Sequence, residues 1–167
     1  MMASEVAALC DQIRDRLVGS LTLYCGDRAV AEELAQDALV RLWEHWPEVR
    51  DMASPEGWAF RVGTNLAGTW YRRKAAERRA YAKVHARLLV VDSDPGDVRG
   101  VRDAVRALPE RQRAVIVARF YLGYDVAGTA AALGIAPGTV KATTHHAISS
   151  LRAAGLVDLD HVDAEEA

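Results

Sequence analysis

The stretch from Asp125 to Arg152, DVAGTAAALGIAPGTVKATTHHAISSLR, sets the fold class. It reads as a short helix ending at Leu133, a turn at Gly134-Ile135-Ala136 and a longer helix starting at Pro137. Glycine takes positive φ without steric cost, and such a turn needs that conformation. In the second helix Val140, Ala147, Ile148 and Leu151 share one face at 3.6 residues per turn. Lys141, Ala142, His145, His146 and Ser149 occupy the opposite face. A helix divided in this way packs on its partner and still enters a DNA major groove. An ordinary helical hairpin fits the same pattern. Adjacent histidines on a helix point about 100° apart, so His145 and His146 suit solvent or phosphate better than a shared metal ion, and no metal site is expected.

Outward from this stretch the chain stays helical. No segment alternates apolar and polar residues over a useful length, and Ala, Leu, Arg and Glu dominate. Helices are expected over about 4–24, over about 28–46 before Pro47, and from Ser54-Pro55 to about 80. Four more are expected near 100–107, from Pro109 to about Leu122, from Asp125 to Leu133 and from Pro137 to about Ala154. Gly123, Gly134 and Gly155 sit where C-terminal caps belong. The resulting expectation is an all-α chain of two small helical domains: a bundle over 1–87 and a helix-turn-helix unit over 101–156. A flexible linker over 88–100 joins them, and an acidic, disordered, solubilising tail covers 157–167.

The 167 residues are 50% hydrophobic and 26% charged, which is globular composition. No apolar run is long enough to span a membrane. No basic start leads into an apolar stretch, so the chain is expected in the cytoplasm. Cys10 and Cys25 match no metal or redox spacing and read as structural thiols. The formal net charge of −2 excludes a global positive field. Charge is sorted locally instead. Arg72, Arg73, Lys74, Arg78, Arg79, Lys83 and Arg87 stand against Glu77 alone, whereas Asp158 to Ala167 is acidic with no Lys or Arg. The basic block also suits a solvated helix end, where cations meet the C-terminal dipole.

Two N-terminal helices carry faces that core packing does not require. In the 28–46 helix, Leu34, Ala35, Ala38, Leu39 and Leu42 form the inward stripe. Glu33, Gln36, Asp37, Val40 and Glu44 line the other side, with Trp43 at its edge. Carboxylates are ordinary on a solvated face, but Val40 and Trp43 among them suit a docking surface for a basic partner. In the next helix Ala59, Val62, Gly63, Leu66 and Trp70 read as core, and Arg61, Asn65, Gly68 and Arg72 share the opposite side. Guanidinium groups meet phosphates there, and the Asn65 amide offers a donor and an acceptor to a base edge. Trp58 borders this stripe. Aromatics beside cations stack unpaired bases for about 1–3 kcal/mol each, while Trp70 reads as simple core.

Together these pieces resemble the extracytoplasmic-function group of bacterial sigma factors. Ala31-Glu-Glu-Leu-Ala-Gln-Asp-Ala-Leu-Val-Arg-Leu-Trp43 is similar to that family's core-polymerase helix of region 2. Trp58-Ala-Phe-Arg-Val-Gly-Thr-Asn-Leu-Ala-Gly-Thr-Trp-Tyr-Arg-Arg-Lys74 is similar to its promoter −10 helix. Leu108-Pro-Glu-Arg-Gln-Arg-Ala-Val and Leu133-Gly-Ile-Ala-Pro-Gly-Thr-Val-Lys141 are similar to its region 4. The resemblance implies docking of Glu33, Gln36, Asp37, Val40 and Trp43 on core RNA polymerase, at the clamp coiled coil of the largest subunit. It implies −10 DNA binding by Trp58, Arg61, Asn65, Arg72 and Arg73, with Asn65 at a flipped base. It implies −35 binding by Arg119, Pro137, Thr139, Lys141, Thr143, His145 and His146, and an anti-sigma factor as a further partner.

The chain departs from the family pattern in region 4. Ala142 and Thr143 stand where Ser and Arg are frequent, His146 where Arg is common, and Ala136 where a Ser often caps the helix. Gly128-Thr-Ala replaces the usual Glu-Ile-Ala. Weaker −35 reading, or reading of a different sequence, is therefore expected. No nucleophile, carboxylate pair, phosphate loop or metal cluster is legible, so neither an enzyme nor a cofactor is expected. The rival expectation is a helix-turn-helix regulator that never touches polymerase.

Overall fold

The computed structural model describes residues 2–84 and 97–155. Most of the expected linker, Arg87 and the acidic tail lie outside the described residues. Among the described residues all regular structure is helical. The elements are α1 (Met2–Cys25), α2 (Arg28–Glu44), the short α3 (Trp46–Val49) and the long α4 (Pro55–Val84). They continue with α5 (Asp97–Ala107), α6 (Glu110–Ile116), a π-helical turn (Val117–Tyr121), α7 (Val126–Leu133) and α8 (Pro137–Ala153).

Local chemistry explains most boundaries. The Asp27 carboxylate accepts from the Val30 N–H at 3.2 Å at the start of α2. The Ser54 hydroxyl accepts from the Gly57 N–H at 2.9 Å at the start of α4, with Pro55 as first helical residue. Pro47 does not simply end α2: the chain restarts at once as α3, with Pro47 in its first turn, where its missing N–H costs nothing. Residues 97–100, expected in the linker, form the first turn of α5. The helix expected from Pro109 to Leu122 is α-helical only to Ile116 and widens into the π turn.

α1, α2 and α4 pack on one another, as do α6, α7 and α8, so both expected helical groups are present. They share one apolar cluster. Leu17, Leu21, Leu42 and Phe60 from the first group join Leu108, Ile116, Leu122, Ile148 and Leu151 from the second. A smaller cluster of Val115, Ala130 and Val140 holds the helix-turn-helix together. Phe60 is fully buried and anchors α4, a position the expected inward stripe of that helix omits.

Two arginines fasten the groups. Arg113 donates to the Tyr24 carbonyl at 3.0 Å and lies 5.0 Å over the Tyr24 ring. It also donates to the carbonyls of Arg106 at 2.7 Å and Leu108 at 3.0 Å. Arg16 pairs with Glu56 at 3.0 Å, donates to the Leu122 carbonyl and lies 5.9 Å from the Tyr124 ring. These contacts recruit cations from α1 and α6 into a mainly apolar junction, and each satisfies carbonyls that helix ends leave open.

Burial pushes Tyr24 and Tyr71 from an ordinary 10.0 to about 12, and Cys25 from 9.0 to about 11. A group whose pKa is raised by folding stabilises the fold fully below its unfolded pKa and loses that contribution as pH climbs through the folded value. Stability measured by urea unfolding is therefore expected to hold steady below pH 9 and to fall between about 9 and 12 as these groups ionise. A flat profile across that window contradicts the assignment.

Candidate protein and nucleic-acid interfaces

The α2 ridge emerges as expected. Glu33, Gln36 and Asp37 are exposed, and Ala31, Leu34, Ala35, Ala38 and Leu42 point inward. Val40 and Trp43 are 50% and 49% exposed, which is high for large apolar side chains with a core close by. Glu33, Gln36, Val40 and Trp43 line a groove of roughly 1370 Å³ between α1 and α2, floored by Val18 and Leu39. Arg14 and Asp15 face them from α1, and Tyr121 closes one end. Asp37 is exposed outside this lining. The sequence reading missed Tyr121 and its neighbour Phe120, which are 45% and 51% exposed. Two adjacent aromatics cannot both turn inward on a helix, and that was the available signal.

The α4 stripe is only partly free. Asn65, Arg72 and Arg73 are exposed, but Arg61 is half-buried and Gly68 is buried. Gly68 was expected on an open face; instead the Glu110 carboxylate of α6 stands over it, 3.4 Å from where a Cβ would lie. Arg61 reaches the turn between α7 and α8, where its guanidinium meets Gly134 at a distance no Cβ would allow. Gly134 has φ 65°, so its left-handed backbone favours glycine there, and the Arg61 guanidinium uses the space a side chain would take. Arg61, Asn65 and Arg72 thus form one wall of a cleft of roughly 410 Å³, and Glu110, Arg111, Leu133 and Ile135 belong to the other. Trp58 does not border an open stripe: it packs on the core with its ring 5.8 Å from His45. Trp70, expected as core, is half-buried, edge-on to Tyr71 at 5.0 Å, with the Lys74 ammonium 6.0 Å from its ring. Tyr71 takes the inward place and donates to the Cys25 carbonyl.

On α8 the division of faces is as expected. Val140, Thr144, Ala147, Ile148 and Leu151 are buried. Pro137, Lys141, His145 and His146 are exposed, while Thr139 and Thr143 are half-buried at the border. The two histidine rings lie 5.9 Å apart. Arg119 is set back in the π turn, where its guanidinium donates to the Tyr124 carbonyl at 3.4 Å and steadies the approach to α7. Asp125 caps α7 by accepting from Gly128 at 2.6 Å. Ala136, at the N-cap of α8, supplies no such bond.

Residues 9–77 match the family description Sigma-70 region 2, and residues 99–151 match Sigma-70, region 4. The chain is 34% identical over 161 residues to the ECF RNA polymerase sigma factor SigL of Mycobacterium tuberculosis, covering 90% of each chain. It is 34% identical over 127 residues to the RNA polymerase sigma-E factor of Streptomyces antibioticus, covering 75% of this chain and 71% of that one. Its fold is similar to the sigma factor RpoE solved with the anti-sigma factor NepR from Bartonella quintana, with a TM-score of 0.70 at 22% identity, covering 93% of this chain and 97% of that one. It is also similar to CnrH solved with the cytosolic domain of CnrY, with a TM-score of 0.61 at 22% identity, covering 89% and 85%. The protein belongs to the extracytoplasmic-function family of RNA polymerase sigma factors.

The uncapped start of α8 yields a test. Ala136→Ser supplies the missing acceptor and is expected to add about 1 kcal/mol of stability, read as a rise in Tm of about 2–4 °C.

Proposed function

We propose that this sigma factor docks on core RNA polymerase through the α2 ridge, Glu33, Gln36, Asp37, Val40 and Trp43, and that the contacted element is the basic clamp coiled coil of the largest subunit. The observation that carries this is the half-exposed Val40 and Trp43 set among carboxylates on a helix whose other face is fully packed. Apolar anchors ringed by charge have the makeup of a hot spot rather than of a solvated surface. A regulator that never meets polymerase would leave this ridge without a use.

Promoter DNA is then held at two places. The exposed face of α8, with Lys141, His145 and His146, enters duplex DNA at the −35 element, with Pro137, Thr139 and Thr143 along its border. Arg61, Asn65, Arg72 and Arg73 of α4 take the unpaired −10 strand. Extruding a base costs a few kcal/mol, and contacts to the opened strand offset that cost without any hydrolysis. Polymerase carries out the chemistry, and the sigma factor acts as a non-catalytic subunit in the cytoplasm. Trp58 stacks on a base only if its packing against the core loosens. Because α6 and α7 stand over α4, the −10 strand gains access when the two helical groups separate. That separation falls in the stretch expected as a linker over 88–100, shortened by the start of α5 at Asp97, with 157–167 as a solubilising end. An anti-sigma factor, the kind of partner that RpoE binds in its complex with NepR, suits the α1–α2 groove, which takes in Glu33, Gln36, Val40 and Trp43 and reaches Tyr121 of the second group.

Charge reversal at Glu33→Lys and Asp37→Lys tests the docking. Retention on immobilised core polymerase is expected to drop at least about tenfold, a loss of about 1.4 kcal/mol, with the helical circular dichroism spectrum unchanged. Equal retention refutes the assignment and favours the regulator. For the duplex contact, Lys141→Ala is expected to weaken promoter binding across sequences and to reduce the slope of log affinity against log salt by about 1.

A further inference from the structure

We infer that the cleft between α4 and α6 is a binding site for a free nucleoside di- or triphosphate. The cleft's roughly 410 Å³ lies in the range of small-ligand pockets. Its walls carry three guanidinium groups, Arg61 and Arg72 from α4 and Arg111 from α6, against the single carboxylate of Glu110. Those groups leave a local excess of two positive charges, with Arg61 half-buried and Arg72 and Arg111 exposed at the rim. Arg61 is half-buried and pairs with no carboxylate among the described residues. The bond that Arg72 makes goes to a neutral group, the Thr69 hydroxyl at 3.1 Å. Partial removal of the Arg61 cation from water without an anion is unfavourable, and forked guanidinium groups match phosphate oxygens in pairs.

The remaining lining separates a nucleotide from a bare anion. Leu133 and Ile135, on the turn that Arg61 supports, give an apolar wall for a planar base. The Asn65 amide offers a donor and an acceptor to a base edge. Glu110 repels phosphate but accepts from ribose hydroxyls, so it fits the sugar. Both helical groups contribute to the site, so a bound nucleotide favours the closed arrangement by its differential affinity for it. On the reading of α4 given above, the nucleotide then competes with the unpaired −10 strand for Arg61, Asn65 and Arg72.

The test titrates ATP, GTP and inorganic triphosphate into the full chain by isothermal calorimetry, with a short single-stranded DNA in a parallel arm. Saturable nucleotide binding at millimolar concentration or tighter is expected, and the nucleotide displaces the DNA strand. Arg111→Ala is expected to weaken nucleotide binding at least about tenfold while single-strand binding and thermal melting stay as in wild type. Loss of both ligands together in Arg111→Ala, or of neither, overturns the site. So does inorganic triphosphate binding as tightly as ATP, which reduces the cleft to a general anion sink. Transcription by wild type and Arg111→Ala with core polymerase, at the lowest nucleotide supply that supports initiation, separates failure of this site from failure of the sigma-factor reading. Inactivity of both proteins counts against the latter alone.

Discussion

The close approach of α7 to α4 governs the arrangement of the whole molecule. A Cβ on Gly57 would lie 2.5 Å from the Ala132 Cβ and 2.9 Å from its Cα, so two helix backbones meet where only glycine and alanine fit. That contact lets the helix-turn-helix lie against the first bundle. It brings the Gly134 turn onto Arg61 and sets α6 over Gly68. Beside it the apolar cluster runs continuously from Leu21 and Phe60 to Ile148 and Leu151. Dispersion at such contacts is small per atom pair and large in sum, so two small residues fix the placement of surfaces far larger than themselves.

From that constraint the surfaces divide into two kinds. The α2 ridge and the outer face of α8 lie away from the junction and are open. The α4 stripe lies at the junction and is shared. Arg113 and Arg16 show why the junction holds: each guanidinium satisfies backbone carbonyls at helix ends and lies near an aromatic ring. Such contacts are directional and wettable, unlike the leucine packing beneath them. A seam of this composition can be both well defined and separable.

Much of the fold was legible because helical periodicity and caps are local. The stripes of α2 and α8, the Asp125 and Ser54 starts, and Gly134 as turn residue are all consequences of spacing within one helix. What could not be read was the second cover over α4. A sequence pattern tells which side of a helix is polar, not whether another helix with its own polar groups will lie there. Gly68 and Arg61 therefore looked open, and Trp58 looked available. The same blindness hid Arg16, Arg111 and Glu110, whose roles depend on residues distant in sequence. The π turn escaped for a different reason: nothing in its residues, VARFY, distinguishes a widened turn from a continuing α-helix. The α2 ridge was the most readable candidate because an apolar pair amid carboxylates departs from the ordinary pattern on its own helix.

The participation of α8 in the common core bears on how the chain is made. Ala147, Ile148 and Leu151 are among the last described residues to leave the ribosome, yet they complete packing that begins with Ile13 and Leu17. During synthesis the N-terminal bundle emerges first with its cationic helix still uncovered, in a compartment crowded with polyanions. The newborn protein thus passes through a stage in which the cationic side of α4 has no cover, and emergence of α6 and α7 brings that stage to an end.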